Sequence, residues 1–181
     1  MYKSFNYVQP RQEIKELEQK TKSRYIRKTS SIKPVILNGK KYCAWCGKVE
    51  IFKKCAKYCS PDCKESSDIF SNPQSKFALI FFLERQEFKC ALCGYDYLPF
   101  VEEIIKRYKE RFKNRKTYKE LRYGVGYHLG NKCLGDTKPE IDHELAICNG
   151  GSSIGIDNHR VICNKCHAIK TKDDRRIAQL V

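Results

Sequence analysis

The chain has 181 residues, room for one modest domain and a small satellite, and its 36 Lys and Arg against 21 Asp and Glu give a formal net charge of +15. Such an excess points to a polyanionic partner, either nucleic acid or a membrane surface. No apolar run approaches the roughly 18 residues of a spanning helix, and the opening MYKSFNYVQPRQEIKELEQK lacks the apolar core of a secretory signal, so an intracellular protein (cytoplasm or nucleoid) with a nucleic-acid partner is expected.

Residues 1–40 form a basic amino-terminal arm, with ten Lys or Arg against Glu13, Glu16 and Glu18. Ile14, Leu17 and Thr21 fall on one helical face, which predicts a short amphipathic helix followed by an extended stretch through Ser30, Ser31 and Pro34. Such an arm suits either a solvated tail or contact with a DNA backbone. Residues 41–66, KYCAWCGKVEIFKKCAKYCSPDCKES, carry the first of the chain's cysteine pairs. An odd total of eleven cysteines, with no leader and tight spacing, favours metal over disulfides. Cys43/Cys46, Cys90/Cys93 and Cys163/Cys166 are spaced C-x2-C and Cys59/Cys63 C-x3-C. Two residues between thiolates suit a tight turn that aims both sulfurs at one tetrahedral zinc, so the pairs make two four-cysteine sites. The first is Cys43, Cys46, Cys59 and Cys63, with Cys55 as the alternative to Cys59. Residues 41–66 are too few to bury a core, so metal would supply much of this module's folding free energy, with Trp45, Phe52 and Tyr58 as its apolar packing. Cys133 and Cys148 are left over as plain thiols.

Residues 67–181 read as a second domain. Asn72-Pro73 punctuates the chain, and SKFALIFFLERQEFKCALCG predicts a buried helix leading into the Cys90/Cys93 knuckle. A basic helical insertion at about 101–135 follows. Val101, Ile104, Ile105, Tyr108 and Phe112 form its apolar stripe, and Lys106, Lys109, Lys113, Arg115, Lys116 and Lys119 either line a phosphate track or are simply solvated. Gly124, Gly126, Gly130 and Gly135 interrupt regularity, so residues 123–138 are expected to be loop or short hairpin, and His128 within it has no assignable role.

The chemistry concentrates in PEIDHELAICNGGSSIGIDNHRVICNKCHAIKTKDD. Asp142-His143 lies in a short apolar-flanked run, Gly150-Gly151 turns the chain, and Asn158 to Cys163 reads as a second strand. A helix should follow, capped by Asn164, with Ala168, Ile169, Ile177 and Ala178 as helix-compatible apolar positions. His159 adjoins Asn158 and, on a strand, should face away from it, so it is left out of the site.

Over residues 76–173 or so this pattern resembles HNH endonucleases. It has Asp142-His143, then Asn158, then Cys163-x2-Cys166-His167-x2-Lys170-Thr171, with Cys90/Cys93 to complete a structural zinc. The resemblance implies an α+β fold: a small zinc-stapled ββα-metal nuclease domain, treble-clef-like, with the amino-terminal zinc module beside it. It implies His143 as general base, Asp142 and His167 as holders of one divalent cation, and Asn158 as the residue orienting the His143 imidazole through the neighbouring backbone. An Asp oxygen and a His nitrogen suit magnesium, manganese, nickel or zinc, so ligand type does not choose the metal. Arg160 and Lys170 are candidate phosphate contacts. The 48 residues between Cys93 and Asp142 depart from the family's pattern and mark where substrate preference would reside.

The expected activity is therefore metal-dependent hydrolysis of DNA, most naturally double-stranded, by an enzyme of homing, phage-nicking or restriction type. A homodimer would favour paired cuts at a palindrome. The competing expectation is a non-catalytic zinc-dependent binder of DNA or RNA on an HNH-like scaffold. Charge and zinc serve both readings equally; only hydrolysis needs Asp142, His143 and His167.

Overall fold

Ser60 and Ser75 start the two consecutive helices on which the rest is assembled. Each accepts a hydrogen bond from the amide three residues on, Cys63 N–H (3.1 Å) and Ala78 N–H (3.1 Å), and Pro61 opens the first helix where its missing N–H costs nothing. The computed structural model describes residues 6–20, 32–52, 56–111 and 118–179. Within them lie α1 (Gln12–Lys20), β1 (Val35–Leu37), β2 (Lys40–Tyr42), α2 (Pro61–Ser71), α3 (Lys76–Arg85), α4 (Leu98–Arg111), α5 (Tyr118–Lys132), β3 (Pro139–His143), β4 (His159–Cys163) and α6 (Asn164–Ala178). The architecture is mixed helix with two small antiparallel sheets, β1 against β2 and β3 against β4.

The expected buried helix is α3, in which all seven residues from Phe77 to Leu83 are buried. A helix apolar on every side must be covered on every side, and α5, β4 and β3 pack against this one. The stripe of α4 is as expected, with Val101 and Ile104 buried and Ile105 and Tyr108 partly so; Phe112 lies outside the described residues.

The segment expected to be loop or hairpin is instead largely helical, α5. Its glycines mark close approach: a Cβ at Gly126 would overlap the Lys76 carbonyl oxygen, and one at Gly124 would overlap the Tyr108 ring. Val125, Leu129 and Cys133, four residues apart, supply the buried stripe. Contact with α3 and α4 overrides the low intrinsic preference of glycine for a helix interior.

A second core surrounds the amino-terminal cysteines. Trp45 is fully buried, packs edge-on against Phe70 (5.3 Å between ring centroids) and donates through Nε1 to the Val8 carbonyl (2.6 Å). The expected amphipathic helix α1 docks here through Ile14, and the Arg11 amide donates to the Trp45 carbonyl (3.0 Å). Phe52, expected to be part of the module's packing, is instead 87% exposed, because Phe70, Ile14, Ile32 and Ile154 fill the space around Trp45. The β1–β2 hairpin, which spans the expected boundary between arm and zinc module, turns at Asn38-Gly39, both with positive φ (49° and 73°). That dipeptide is the usual signal for a two-residue hairpin.

Candidate active site

Two groups of four cysteines have sulfurs within 4.8 Å of one another: Cys43, Cys46, Cys59 and Cys63, and Cys90, Cys93, Cys163 and Cys166. Sulfur separations of 3.8 Å (Cys46 to Cys59), 3.5 Å (Cys59 to Cys63) and 3.7 Å (Cys93 to Cys163) match the roughly 3.8 Å edge of a tetrahedron with zinc–sulfur bonds of about 2.3 Å. Both groups can hold a metal. Cys59 stands in the first group; its alternative, Cys55, lies outside the described residues. In each group burial alone would raise the first thiol's pKa, but backbone amides outweigh it and bring Cys43 and Cys90 down to about 7. Burial, with crowding by neighbouring sulfurs, pushes Cys63 and Cys166 up. A cation relieves that crowding.

The second group is assembled from the knuckle after α3 and from the start of α6. The Ala91 amide donates to the Val161 carbonyl (3.0 Å), and the Gln86 side chain bonds both backbone groups of Val161, which lays the knuckle along the outer edge of β4. Cys163 itself caps α6, its sulfur accepting the Cys166 N–H (3.5 Å). Asn164, expected to be that cap, instead begins the helix, with its amide on the Lys138 carbonyl (2.9 Å). No side chain of α6 among those described is buried, and Ile169 and Ile177 are half exposed. This helix is therefore fixed by its cap and its cysteines rather than by an apolar face.

β3 and β4 pair in register from Pro139 with Cys163 to His143 with His159. Strand alternation turns Glu140 and Asp142 towards α6. There His167 Nδ1 donates to Glu140 Oε2 (2.7 Å), the tautomer a carboxylate partner selects. His167 Nε2 is left facing Asp142 Oδ1 at 3.6 Å. An oxygen and a nitrogen so placed can share a divalent cation, and a carboxylate behind the imidazole is the usual support for a metal-binding histidine. Glu140 was missed in the sequence, although its position two residues before Asp142 on a strand puts both on one face. Lys170 Nζ lies 3.2 Å from Asp142 Oδ2 and 2.5 Å from Asp174 Oδ2, so the lysine expected to meet phosphate is engaged inside the chain.

His143 takes the opposite strand face. Burial lowers its pKa below that of an ordinary histidine; Asp142 works against the shift and Lys170 with it, so both charges reach the ring. His159, expected to face away from the site, instead lies directly across from His143 in register, with ring centroids 4.6 Å apart. It is buried against Phe82, neither ring nitrogen has a hydrogen-bond partner among the described residues, and burial followed by the nearby His143 pushes its pKa down to about 3. Adjacency to Asn158 does not decide this placement; cross-strand pairing determines which residues share a face.

Asn158 is a brace. Its Oδ1 accepts the Leu145 N–H (2.8 Å), its Nδ2 donates to the carbonyls of Leu145 (3.0 Å) and Ser152 (2.9 Å), and its own carbonyl accepts the Glu144 N–H (2.9 Å). The backbone just after His143 is thereby tied to the start of β4. Gly151 sits so close beneath that a Cβ would overlap the Leu145 carbonyl oxygen and come within 2.6 Å of Asn158 Nδ2. Arg160 lies opposite Asp142 in the ladder. Lys113, Arg115 and Lys116 lie outside the described residues.

No family model, no curated protein and no solved structure matches this chain. Its function is therefore argued from its own residues. Among the described residues no helix is long and apolar enough to cross a membrane.

Proposed function

We propose that the chain is a metal-dependent endonuclease of the HNH kind that hydrolyses phosphodiester bonds of DNA. The observation that carries this reading is the line Glu140–His167–Asp142, with His143 beside it at the end of β3. A four-cysteine finger needs none of these side chains. The succession β3, β4, α6 supports the ββα-metal comparison, and the two cysteine groups would hold structural zinc.

In this reading His143 takes the proton of the attacking water. Its lowered pKa leaves the imidazole neutral, and so able to accept, at physiological pH. Asp142 and His167 would hold the cation, which when bound neutralises phosphate charge and stabilises the leaving 3′ oxygen. Glu140 keeps the His167 ring turned and Asn158 keeps the strand end in place. The net charge of +15 draws the polyanion, for which double-stranded DNA is the expected form.

The ion pair between Lys170 and Asp142 favours a second reading, a non-catalytic nucleic-acid binder in which lysine rather than metal balances Asp142. One experiment separates the two. Supercoiled plasmid is incubated with purified protein and magnesium, manganese, nickel or zinc, beside the His143→Ala variant. Cutting by the parent protein alone supports the nuclease; cutting by both or by neither rejects it.

A further inference from the structure

Among the described residues, the apolar core around the amino-terminal cysteines reaches the loop that joins β3 to β4. Ile154 of this loop is buried in the same apolar cluster as Cys43, Trp45, Cys63 and Phe70. The next residue, Gly155, has φ +86° and donates its amide to the Phe70 carbonyl at 2.8 Å. At its other end the same loop is held by Asn158, which bonds Ser152 and Leu145, and by the Gly151 amide on the Ala146 carbonyl (3.0 Å). From Leu145 to Ile156 no strand pairing among the described residues supports the chain. From within it is held by Asn158; from outside it is held by the core around Trp45 at Ile154 and Gly155 and, at its far end, by Arg85, whose Nη1 donates to the Ile156 carbonyl (3.0 Å). Tyr7 reinforces the same junction, its ring lying 6.3 Å from Trp45 and 5.3 Å from Phe81 of α3.

We infer that the amino-terminal module is a clamp on the site loop, and that Ile154 and Gly155 are positioning residues through which it sets the end of β3 carrying His143. An anchor for DNA would act on affinity. A clamp acts on the conversion of bound DNA, because small displacements of a general base from its working geometry cost rate rather than binding. This inference rests on the nuclease reading for its catalytic half; its structural half stands without it.

The test uses the full chain with its metal sites loaded, as parent, Ile154→Val and Ile154→Ala. Amide hydrogen exchange is followed by NMR, single-turnover cleavage is measured at saturating DNA, and DNA affinity is measured in a His143→Ala background. Exchange at Gly151 and Gly155 is expected to quicken about tenfold or more in Ile154→Ala and less in Ile154→Val, with α3 amides unchanged. Turnover should fall about tenfold while affinity stays within about twofold. The mild Ile154→Val change keeps the result interpretable if alanine unfolds the chain. Unchanged loop exchange in both variants overturns the clamp. A loosened loop with undiminished turnover, or a loss confined to affinity, overturns the positioning role. If His143→Ala cuts as well as the parent, the nuclease reading fails, and the exchange arm still decides the clamp.

Discussion

Replacing His159 by leucine tests the energetics of the site's buried side. Its imidazole is 5% exposed with two unpartnered ring nitrogens, and an unsatisfied buried polar group costs about 1–3 kcal/mol. Leucine fills a similar volume without that cost but gives up ring contacts with Phe82 and His143, worth about 0.5–1.5 kcal/mol. His159→Leu should therefore stabilise the fold by about 1 kcal/mol at pH 7. The difference should grow in acid. The folded pKa is pushed down from 6.5 to about 3, so below pH 6.5 the unfolded chain takes up a proton that the folded chain refuses. The stability associated with neutral His159 is fully present above 6.5 and is lost as pH falls towards 3. At pH 5 the loss covers about 1.5 pH units at about 1.4 kcal/mol each, or about 2 kcal/mol, and the leucine variant escapes it. Urea unfolding of both proteins at pH 7 and pH 5, with equal metal loading, reads the difference directly. Acid weakening of the cysteine sites enters both and cancels. Parallel pH dependences in the two proteins would refute the reasoning, since they would mean that the His159 ring is solvated or paired in solution.

Three further outcomes are expected. Glu140→Gln weakens the carboxylate support of His167 and should raise the divalent-metal concentration needed for half-maximal cleavage about tenfold, read from a metal titration. Cys166→Ser removes a ligand from a helix that buries no described side chain, so far-UV circular dichroism should lose helix and the variant should be more protease-sensitive than a variant of buried, non-clustered Cys133 to serine. Gly126→Ala should destabilise by about 2 kcal/mol or more, because its Cβ meets the Lys76 backbone, whereas Gly130→Ala, which meets only the mobile end of the Lys76 side chain at 3.3 Å, should stabilise by up to about 1 kcal/mol; thermal melts of both decide.

What the sequence discloses follows from how local each interaction is. The cysteine pairs are legible because two residues between ligands is itself the geometry of the knuckle, and α3 because an unbroken apolar run of its length must be buried. Asp142 and His167 are legible as a motif and do lie together. Glu140 carries no motif; only strand alternation brings it to His167. The glycines of α5 mislead because the same residue that ends an isolated helix also permits another backbone to lie against one, and the sequence does not say which neighbour is there. Ile154 is the extreme case. Nothing local distinguishes it from any loop isoleucine, yet it belongs to a core whose other members begin 140 positions earlier, at Ile14.

The two cysteine clusters divide the work of holding the site. α6 buries no described side chain, so the orientation of His167 depends on Cys163 and Cys166 and on Glu140 across the strand. The loop after His143 has no strand partner among the described residues, so its position depends on Asn158, on Arg85 and on the Trp45 core in which Cys43 and Cys63 are buried. One cluster thus fixes the side chain facing Asp142, and the other fixes the backbone that follows His143. Residues 41–66 are too few to bury a core of their own, and α6 buries no described side chain, so packing alone supports neither point. Metal held by the two cysteine groups would supply that support, at the two points where the proposed hydrolytic site must not move.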